Sequence, residues 1–122
     1  MTVEPVRPDH APELVRLAAE WGQHTFQWTA DAAGIVMRDD HGIAGFALLT
    51  ERPYGHVIQE LWVEHNRRGL RATSAIIDWV EAQERHRGGQ VGGIVAEDNP
   101  LYAVLRDRGY VCTHHVLMKA VA

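Results

Sequence analysis

A predicted strand, a basic turn and a helix start follow one another in residues 60–72, ELWVEHNRRGLRA. The apolar first half of this segment is typical of a central strand, and three arginines surround Gly69 in its second half. A helix N-terminus offers unpaired N–H groups and about half a positive charge, and arginines add donors suited to phosphate oxygens. We therefore predict an anion site here, although the same turn taken alone is as often a solvated loop.

An amphipathic helix is predicted ahead of this segment, after a short extended run at residues 3–7. Its apolar residues recur at i, i+3, i+4 and i+7, namely Leu14, Leu17, Ala18 and Trp21. Gly22 provides the end of the helix. The stretch that follows, residues 24–29, has no regular pattern and is either a short strand or a loop.

Three strands are predicted between residues 34 and 63. The apolar runs 34–38 and 43–50 are separated by turn residues, Asp39, Asp40, His41 and Gly42, which favour a β-hairpin. A second turn at residues 52–55 leads into the run 57–63. We interpret this third run as the central strand.

The strongest helical pattern follows the basic turn. Its apolar residues are Ala72, Ala75, Ile76, Trp79 and Val80, and the pair Gly88 and Gly89 ends it. A buried strand over 91–96, a short helix over 100–108 and a last strand over 110–119 complete the chain. The order β-α-β-β-β-α-β-α-β predicts a mixed α/β sheet with packed helices, in one domain over residues 1–122.

The bulk composition excludes several classes of protein. A chain of 122 residues, 46% apolar and 23% charged, fits one globular core. Its formal net charge of −4 argues against a general nucleic-acid binder. No run approaches the roughly 20 apolar residues that cross a bilayer, so we expect no membrane insertion. The N-terminus lacks a secretory pattern and Cys112 has no internal disulfide partner, so we expect a cytoplasmic protein.

Three stretches together make the chain resemble the GNAT family of N-acetyltransferases over residues 3–119. They are Val-Arg-Pro at 6–8 before a helix, the strand and Arg-Arg-Gly turn at 60–70, and Glu-Asp-Asn-Pro through Arg-Gly-Tyr at 97–110. The resemblance implies an acyl-CoA N-acyltransferase-like three-layer fold with a splayed central strand. It also implies direct acetyl transfer from acetyl-CoA to a primary amine of a small molecule, peptide or protein, in a ternary complex.

The resemblance further implies which residues bind acetyl-CoA: the central strand through its backbone, and the turn and helix start as a phosphate cradle. These residues are Leu61, Trp62, Val63, Arg67, Arg68, Gly69, Leu70, Arg71, Ala72 and, after the next strand, Asn99. The turn departs from the family pattern at two places. Asn66 stands where Gln or Arg is usual, and Arg71 stands where a small residue is usual, with Arg67 and Ala72 one position off.

Glu60 is the predicted general base and Tyr102 the candidate general acid. Glu60 interrupts an apolar strand where family members often hold a catalytic Glu, and burial there would raise the pKa of its carboxyl. Alternatively, Glu60 faces solvent or pairs with an arginine. The usual family acid is a Tyr four residues before Gly109, but that position is Leu105 here. Tyr102 replaces it only if the helix is rotated or shifted.

Four residues after the first helix start would line an acceptor pocket in this family: Trp21, His24, Phe26 and Trp28. Core packing is the alternative for Trp21 and Phe26, because large aromatic residues are usually buried. Two further hypotheses stay open for the whole chain. One is a non-catalytic module of the same fold that binds CoA or a protein partner, and the other is an unrelated domain that binds a nucleotide.

The C-terminal residues carry three smaller predictions. His114 and His115 are neighbours on a strand and point to opposite faces, so we predict no metal site. Cys112 has apolar neighbours and is expected to be buried rather than nucleophilic. The edge of the last strand, residues 111–118, would allow a homodimer.

Overall fold

A computed structural model of the chain describes residues 2–20, 32–93 and 100–111. Its helices and strands, in chain order, are β1 (Thr2–Pro5), α1 (Ala11–Glu20), β2 (Ala32–Asp39), β3 (Gly42–Arg52), β4 (Gly55–Val63), α2 (Arg67–Arg87), β5 (Gln90–Gly93) and α3 (Pro100–Asp107). A short 3-10 helix, Pro8–His10, precedes α1. The predicted order of elements is confirmed as far as α3. The predicted last strand lies, apart from residues 110 and 111, outside the described residues.

The described strands form one five-stranded mixed sheet in the order β1-β2-β3-β4-β5. The first three pairs are antiparallel, whereas β4 and β5 are parallel. The predicted hairpin joins β2 to β3 and closes at the Asp39–Gly42 pair. Gly42 has φ of +108°, a conformation that favours glycine and explains why this turn ends with one.

Helices cover both faces of the sheet and give the predicted three layers. On one face α1 buries an apolar cluster whose members are Leu14, Leu17, Ala18, Val36, Ile43, Phe46, Leu48 and Trp62. On the other face α2 and α3 bury a second cluster, which includes Ile35, Met37, Ile58, Ile76, Val80 and Leu105. In β2, for example, Ile35 and Met37 serve the second core and Val36 serves the first, as period-2 geometry requires. We call the two sides the α1 face and the α2 face.

Helix α2 begins at Arg67, five residues before the apolar pattern that predicted it. Asn66 is its N-cap, and the Asn66 side chain accepts a hydrogen bond from the Arg68 N–H. The predicted basic loop is therefore wrong in extent, because its residues from Arg67 onward are the first turns of the helix. The predicted end is confirmed, since Gly88 adopts the left-handed conformation, with φ of +69°.

The start of α2 packs unusually close to the sheet. A Cβ atom on Gly45 of β3 would lie 2.7 Å from the Ala72 Cβ, nearer than two carbon atoms pack. The pair of small residues thus sets the distance between α2 and β3. Although α2 has 21 residues, no helix in the described ranges joins the length and the apolarity that crossing a bilayer requires.

Candidate active site

A β-bulge interrupts β4 halfway along its length. Glu60 pairs with Leu48 of β3, and Ile58 pairs with the next residue, Leu49, so Gln59 has no partner across the β3–β4 ladder. Residues paired directly across a sheet share a face, and Leu48 belongs to the α1 face. The bulge therefore places Glu60 on the α1 face, at the middle of the central strand.

Glu60 carries a half-buried carboxyl in the middle of this strand. Its Oε2 atom is enclosed by protein and accepts no hydrogen bond in the described part of the chain. Burial raises the pKa of the Glu60 carboxyl above its usual value. Buried polar atoms are normally hydrogen-bonded, and the exceptions often mark catalytic groups. Of the two structural alternatives, neither an arginine partner nor full solvent exposure is seen among these residues.

Gln59 is a polar neighbour of Glu60 that sequence reasoning missed. Its Oε1 atom accepts a hydrogen bond of 2.5 Å from the hydroxyl of Thr50, which is 2% exposed. Thr50 follows Leu48 by two residues in β3 and so lies on the same face. The bulge thus gathers a hydroxyl, an amide and a carboxyl in an otherwise apolar layer. No local sequence signal reveals this group, because a bulge depends on how two strands pair.

The N-terminus of α2 lies at the far end of the same strand. The N–H groups of Arg67 and Gly69 have no hydrogen-bond partner among the described residues, as is usual in a first helical turn. Arg67 and Arg71 are exposed, and neither forms an ion pair within these ranges. In the described part of the chain, N–H donors and two positive charges without a partner therefore meet here, an arrangement that favours binding of an anion.

An open depression of about 370 Å³ runs along α2 beside this helix start. Its described lining comes from α2 alone: Leu70, Arg71, Ser74, Ala75 and Asp78. The Leu70 side chain is 66% exposed, which is high for a large apolar residue. The depression combines apolar surface with an arginine, a hydroxyl and a carboxylate.

Arg68 differs from its two arginine neighbours, because its guanidinium is held within the protein. Nε and Nη2 donate to the two carboxylate oxygens of Asp39 at 2.8 and 2.7 Å, Nη2 also donates to the Gly42 carbonyl at 3.1 Å, and Nη1 donates to Glu64. Hydrogen bonding to Arg68 lowers the pKa of Asp39 well below its usual range. Arg68 was predicted to bind phosphate, but its guanidinium already donates hydrogen bonds to acceptors within the protein.

Gly69 is required by packing within the chain. A Cβ atom at this position would lie 1.6 Å from the backbone oxygen of Glu64. The sequence predicted that Gly69 would admit a phosphate, and the structure shows a separate reason for a glycine. The close contact fixes the angle between the end of β4 and the start of α2.

The three strand residues predicted to contact the cofactor all lie beyond the bulge. The Trp62 side chain is 4% exposed on the α1 face, with its ring 5.1 Å from that of Phe46. Leu61 and Val63 pack on the α2 face. The parallel ladder with β5 is described as far as Ile58, so what borders these residues on the β5 side, and with it the predicted splay, lies outside the described ranges.

The two candidate positions for a general acid lie on α3. Leu105 is 6% exposed in the α2-face core, so it serves packing where the family carries a Tyr. Tyr102 is half-buried, and the Arg106 guanidinium lies 6.0 Å from the centre of its ring. Tyr102 lies one helical turn before Leu105 on α3. Its role as the general acid stays a prediction.

Several predicted residues lie outside the described residues. They are Trp21, His24, Phe26, Trp28, Asn99, Cys112, His114 and His115. The homodimer edge at 112–118 also lies there. Within residues 2–20, 32–93 and 100–111, no group of three or more His, Cys, Asp or Glu side chains is arranged to hold a metal ion.

Solved structures show which fold this is. A ribosomal-protein-alanine N-acetyltransferase from Brucella melitensis biovar Abortus 2308 is similar at a TM-score of 0.77 and 16% identity, over 100% of this chain and 99% of that one. An aminoglycoside N-acetyltransferase, AAC(6')-Iy in complex with CoA, is similar at 0.72 and 14% identity, over 99% of both chains. A transcriptional regulator from Bacillus halodurans C-125 is similar at 0.75 and 14% identity, over 98% and 99%.

Comparison by sequence gives no match of this kind. No protein-family model matches the chain, and no curated protein matches it significantly. At 14–16% identity the likeness to these structures establishes the fold alone. The chain has the α/β fold of the GNAT acetyltransferases, which confirms the predicted fold class. Its activity has to be argued from its own residues.

Proposed function

We propose that this chain is an N-acetyltransferase that moves an acetyl group from acetyl-CoA directly to a primary amine. The observation that carries the proposal is the half-buried Glu60 carboxyl at the bulge of β4, whose enclosed Oε2 atom has no hydrogen-bond partner among the described residues. An anion-binding helix start lies at the end of the same strand. One strand thus connects a group able to accept a proton with a place able to hold phosphates.

The residues at the start of α2 fit the phosphates of acetyl-CoA. Arg67 and Arg71 are exposed and unpaired among the described residues, and the first-turn N–H groups add directed donors. The depression beside Leu70 and Ala75 offers apolar surface for the rest of the nucleotide portion. The similar fold of an acetyltransferase in complex with CoA supports this assignment.

Glu60 would act as the general base in the transfer. An amine is protonated near neutral pH and attacks a carbonyl carbon only after losing a proton. Acetyl-CoA supplies the activated acetyl group, and the carboxylate of Glu60 takes the proton as the new C–N bond forms and the C–S bond breaks. A raised pKa makes the carboxylate a stronger base than an exposed Glu.

Two further groups complete the proposed chemistry. The negative charge that develops on the carbonyl oxygen needs a backbone N–H donor, and we place this donor at the bulge, where Gln59 has no residue opposite it in β3. The departing thiolate needs a proton, for which Tyr102 is the candidate on α3. The acceptor is a small-molecule, peptide or protein amine that reaches Glu60 from the α1 face.

Thermal unfolding with acetyl-CoA, followed by a thiol-release assay on an amine panel, tests this proposal. A ligand that binds only the native state at 100 times its Kd stabilises it by about 2.7 kcal/mol. We expect acetyl-CoA to raise the unfolding temperature and ATP, the anion control, to have little effect. Equal shifts with ATP would favour the nucleotide-binding hypothesis, and no shift with acetyl-CoA would reject the proposal.

A non-catalytic CoA-binding module is the second candidate. Leu105 favours it, because a core leucine replaces the Tyr that the family uses as an acid. The similar fold of a protein described as a transcriptional regulator supports a regulatory role equally well. Stabilisation by acetyl-CoA without thiol release on any amine would select this candidate.

A further inference from the structure

Three arginines lie in the first turns of α2, and within the described ranges only Arg68 forms an ion pair with the protein. Arg68 donates to Asp39, Glu64 and the Gly42 carbonyl, so each of its three guanidinium nitrogens has an acceptor. Arg67 and Arg71 have no ion-pair partner in the described ranges. The arginines therefore fall into two kinds that the sequence does not distinguish.

We call the contact among Arg68, Asp39, Glu64 and Gly42 the clamp. It joins three parts of the chain: the turn between β2 and β3, the end of β4 and the start of α2. Asp39 is fixed before it reaches Arg68, because its Oδ1 also accepts the His41 N–H at 2.8 Å. The hairpin turn thus holds Arg68, the second residue of the helix.

The clamp has the geometry of a strong ion pair. Arg68 and Asp39 meet through two parallel hydrogen bonds, the arrangement that a guanidinium makes with a carboxylate. Both side chains are 17% exposed, so solvent and salt screen the pair less than a surface pair. A lysine cannot reproduce the contact, because it lacks the planar pair of donors.

The clamp affects binding because the N–H groups of a helix N-terminus must point at the anion that they bind. Beside the clamp, Asn66 accepts a hydrogen bond from the Arg68 N–H, and Gly69 lies so close to the Glu64 backbone that an added Cβ atom would meet the Glu64 oxygen. A displacement of about 1 Å would move the first-turn N–H groups away from a bound phosphate.

We propose that Arg68 is a positioning residue for acetyl-CoA, holding the start of α2 through Asp39, while Arg67 and Arg71 meet the phosphates. This inference rests on the proposed function, since it assumes that CoA binds at this helix start. It assigns Asp39, a turn residue 29 positions away, to the binding site.

Replacing Asp39 separates this role from direct phosphate binding by the sign of the effect. If Arg68 positions the helix, Asp39→Asn weakens CoA binding, because the helix start loses its anchor. If Arg68 instead reaches the phosphates, Asp39→Asn frees the guanidinium and leaves CoA binding equal or tighter.

The experiment measures the Kd of CoA by titration calorimetry for the wild type, Asp39→Asn, Arg68→Lys and Glu64→Gln. We expect Asp39→Asn and Arg68→Lys each to weaken binding about tenfold, and Glu64→Gln, which keeps the Asp39 pair, to weaken it less. If Asp39→Asn does not fold, Glu64→Gln still removes one carboxylate acceptor of Arg68, and its Kd can be compared with that of the wild type. Thermal unfolding without ligand shows which variants are folded.

The matched control is His56→Ala, which loosens the other end of α2. His56 pairs with Glu84, 16 residues after Arg68 and therefore about 24 Å along the helix. We expect this variant to lose stability and keep the wild-type Kd. Equal weakening in the control would reduce the clamp to general stability and overturn the inference.

The remaining outcomes are distinct. A wild-type protein that does not bind CoA overturns the proposed function and the inference with it. A wild-type protein that binds CoA, with Asp39→Asn as tight as the wild type, overturns the inference alone.

Discussion

Two carboxylates are associated with β4, one beside the start of the strand and one in its middle, and their surroundings differ. At the start of the strand, Glu84 of α2 is 2% exposed and pairs with His56, with Arg87 3.5 Å away. At the bulge, Glu60 has no cationic partner among the described residues. Each retains one enclosed oxygen without a hydrogen bond. Glu84 is the more deeply buried of the two, and among the described residues it alone has a cation nearby.

The difference indicates which carboxylate stabilises the fold and which one is available for chemistry. A buried charge that has a counter-charge is costly to disturb, because removing either partner leaves the other uncompensated. A buried carboxyl without a counter-charge has a raised pKa and an unfilled acceptor site. We therefore assign Glu84 to stability and Glu60 to catalysis, and the following predictions test that division.

The largest effect is expected from Glu60→Gln. General-base catalysis contributes about 10²- to 10⁴-fold, so turnover in the thiol-release assay should fall by at least 100-fold. The affinity for acetyl-CoA should stay near the wild-type value. The unfolding temperature should stay equal or rise, because the amide removes a charge that burial disfavours.

Glu84→Gln is the matched control for this prediction. It changes the other buried carboxylate in the same way and should lose stability while keeping its turnover per folded molecule. Loss of turnover in both variants, or in neither, would end the division between the two carboxylates.

A large loss of stability is expected from His56→Ala. This variant leaves Glu84 buried with only the more distant Arg87 nearby. Leaving a buried carboxylate without its hydrogen-bond partner costs about 1–3 kcal/mol in free energy of unfolding, measurable by urea denaturation. A change below about 0.5 kcal/mol would place Glu84 among the weak surface pairs instead.

A smaller effect is expected from pH. The folded-state pKa of Glu60 is raised above 4.5, so the free energy of unfolding falls as pH rises from that value through the folded pKa. Asp39 has a lowered pKa and acts oppositely, losing stability as pH falls below about 4. The difference between wild type and Glu60→Gln, measured from pH 3 to 8, isolates the Glu60 contribution. In turnover the same carboxyl should give an acid limb that Glu60→Gln removes.

The smallest effect is expected from Tyr110→Phe. The Tyr110 hydroxyl donates to Glu81 at 3.3 Å, where Arg108 supplies a counter-charge. Glu81 is 26% exposed, so losing this hydrogen bond should cost about 0.5–1 kcal/mol in thermal unfolding. The value gives a scale for a partly exposed carboxylate, and a loss as large as that of His56→Ala would contradict the role given to burial.

The sequence predicts the sheet and its helices because their signals are local. Apolar periodicity places β2, β3, β4 and α2, and the turn residues at 39–42 and Gly88 set their limits. The start of α2 was misplaced because the apolar stripe begins at Ala72, whereas the Asn66 cap starts the helix earlier. A cap depends on one side chain and carries no periodic signal.

The candidate site is only partly predictable. Glu60 stands out as a carboxyl in an apolar strand, but its face depends on the bulge at Gln59, which only pairing with β3 reveals. The engagement of Arg68 is equally hidden, because its partner Asp39 is 29 residues away. Long-range pairing of this kind has no counterpart in local composition.

The bulge also has a genetic consequence. Ile58, Leu61 and Val63 face α2, whereas Glu60 and Trp62 face α1, so removing Gln59 alone would leave a strictly alternating strand with every other side chain on its present face. A deletion of one codon would thus erase the distortion and spare both cores. Insertions and deletions, rather than substitutions, are the mutational route by which a strand like this one gains or loses its bulge.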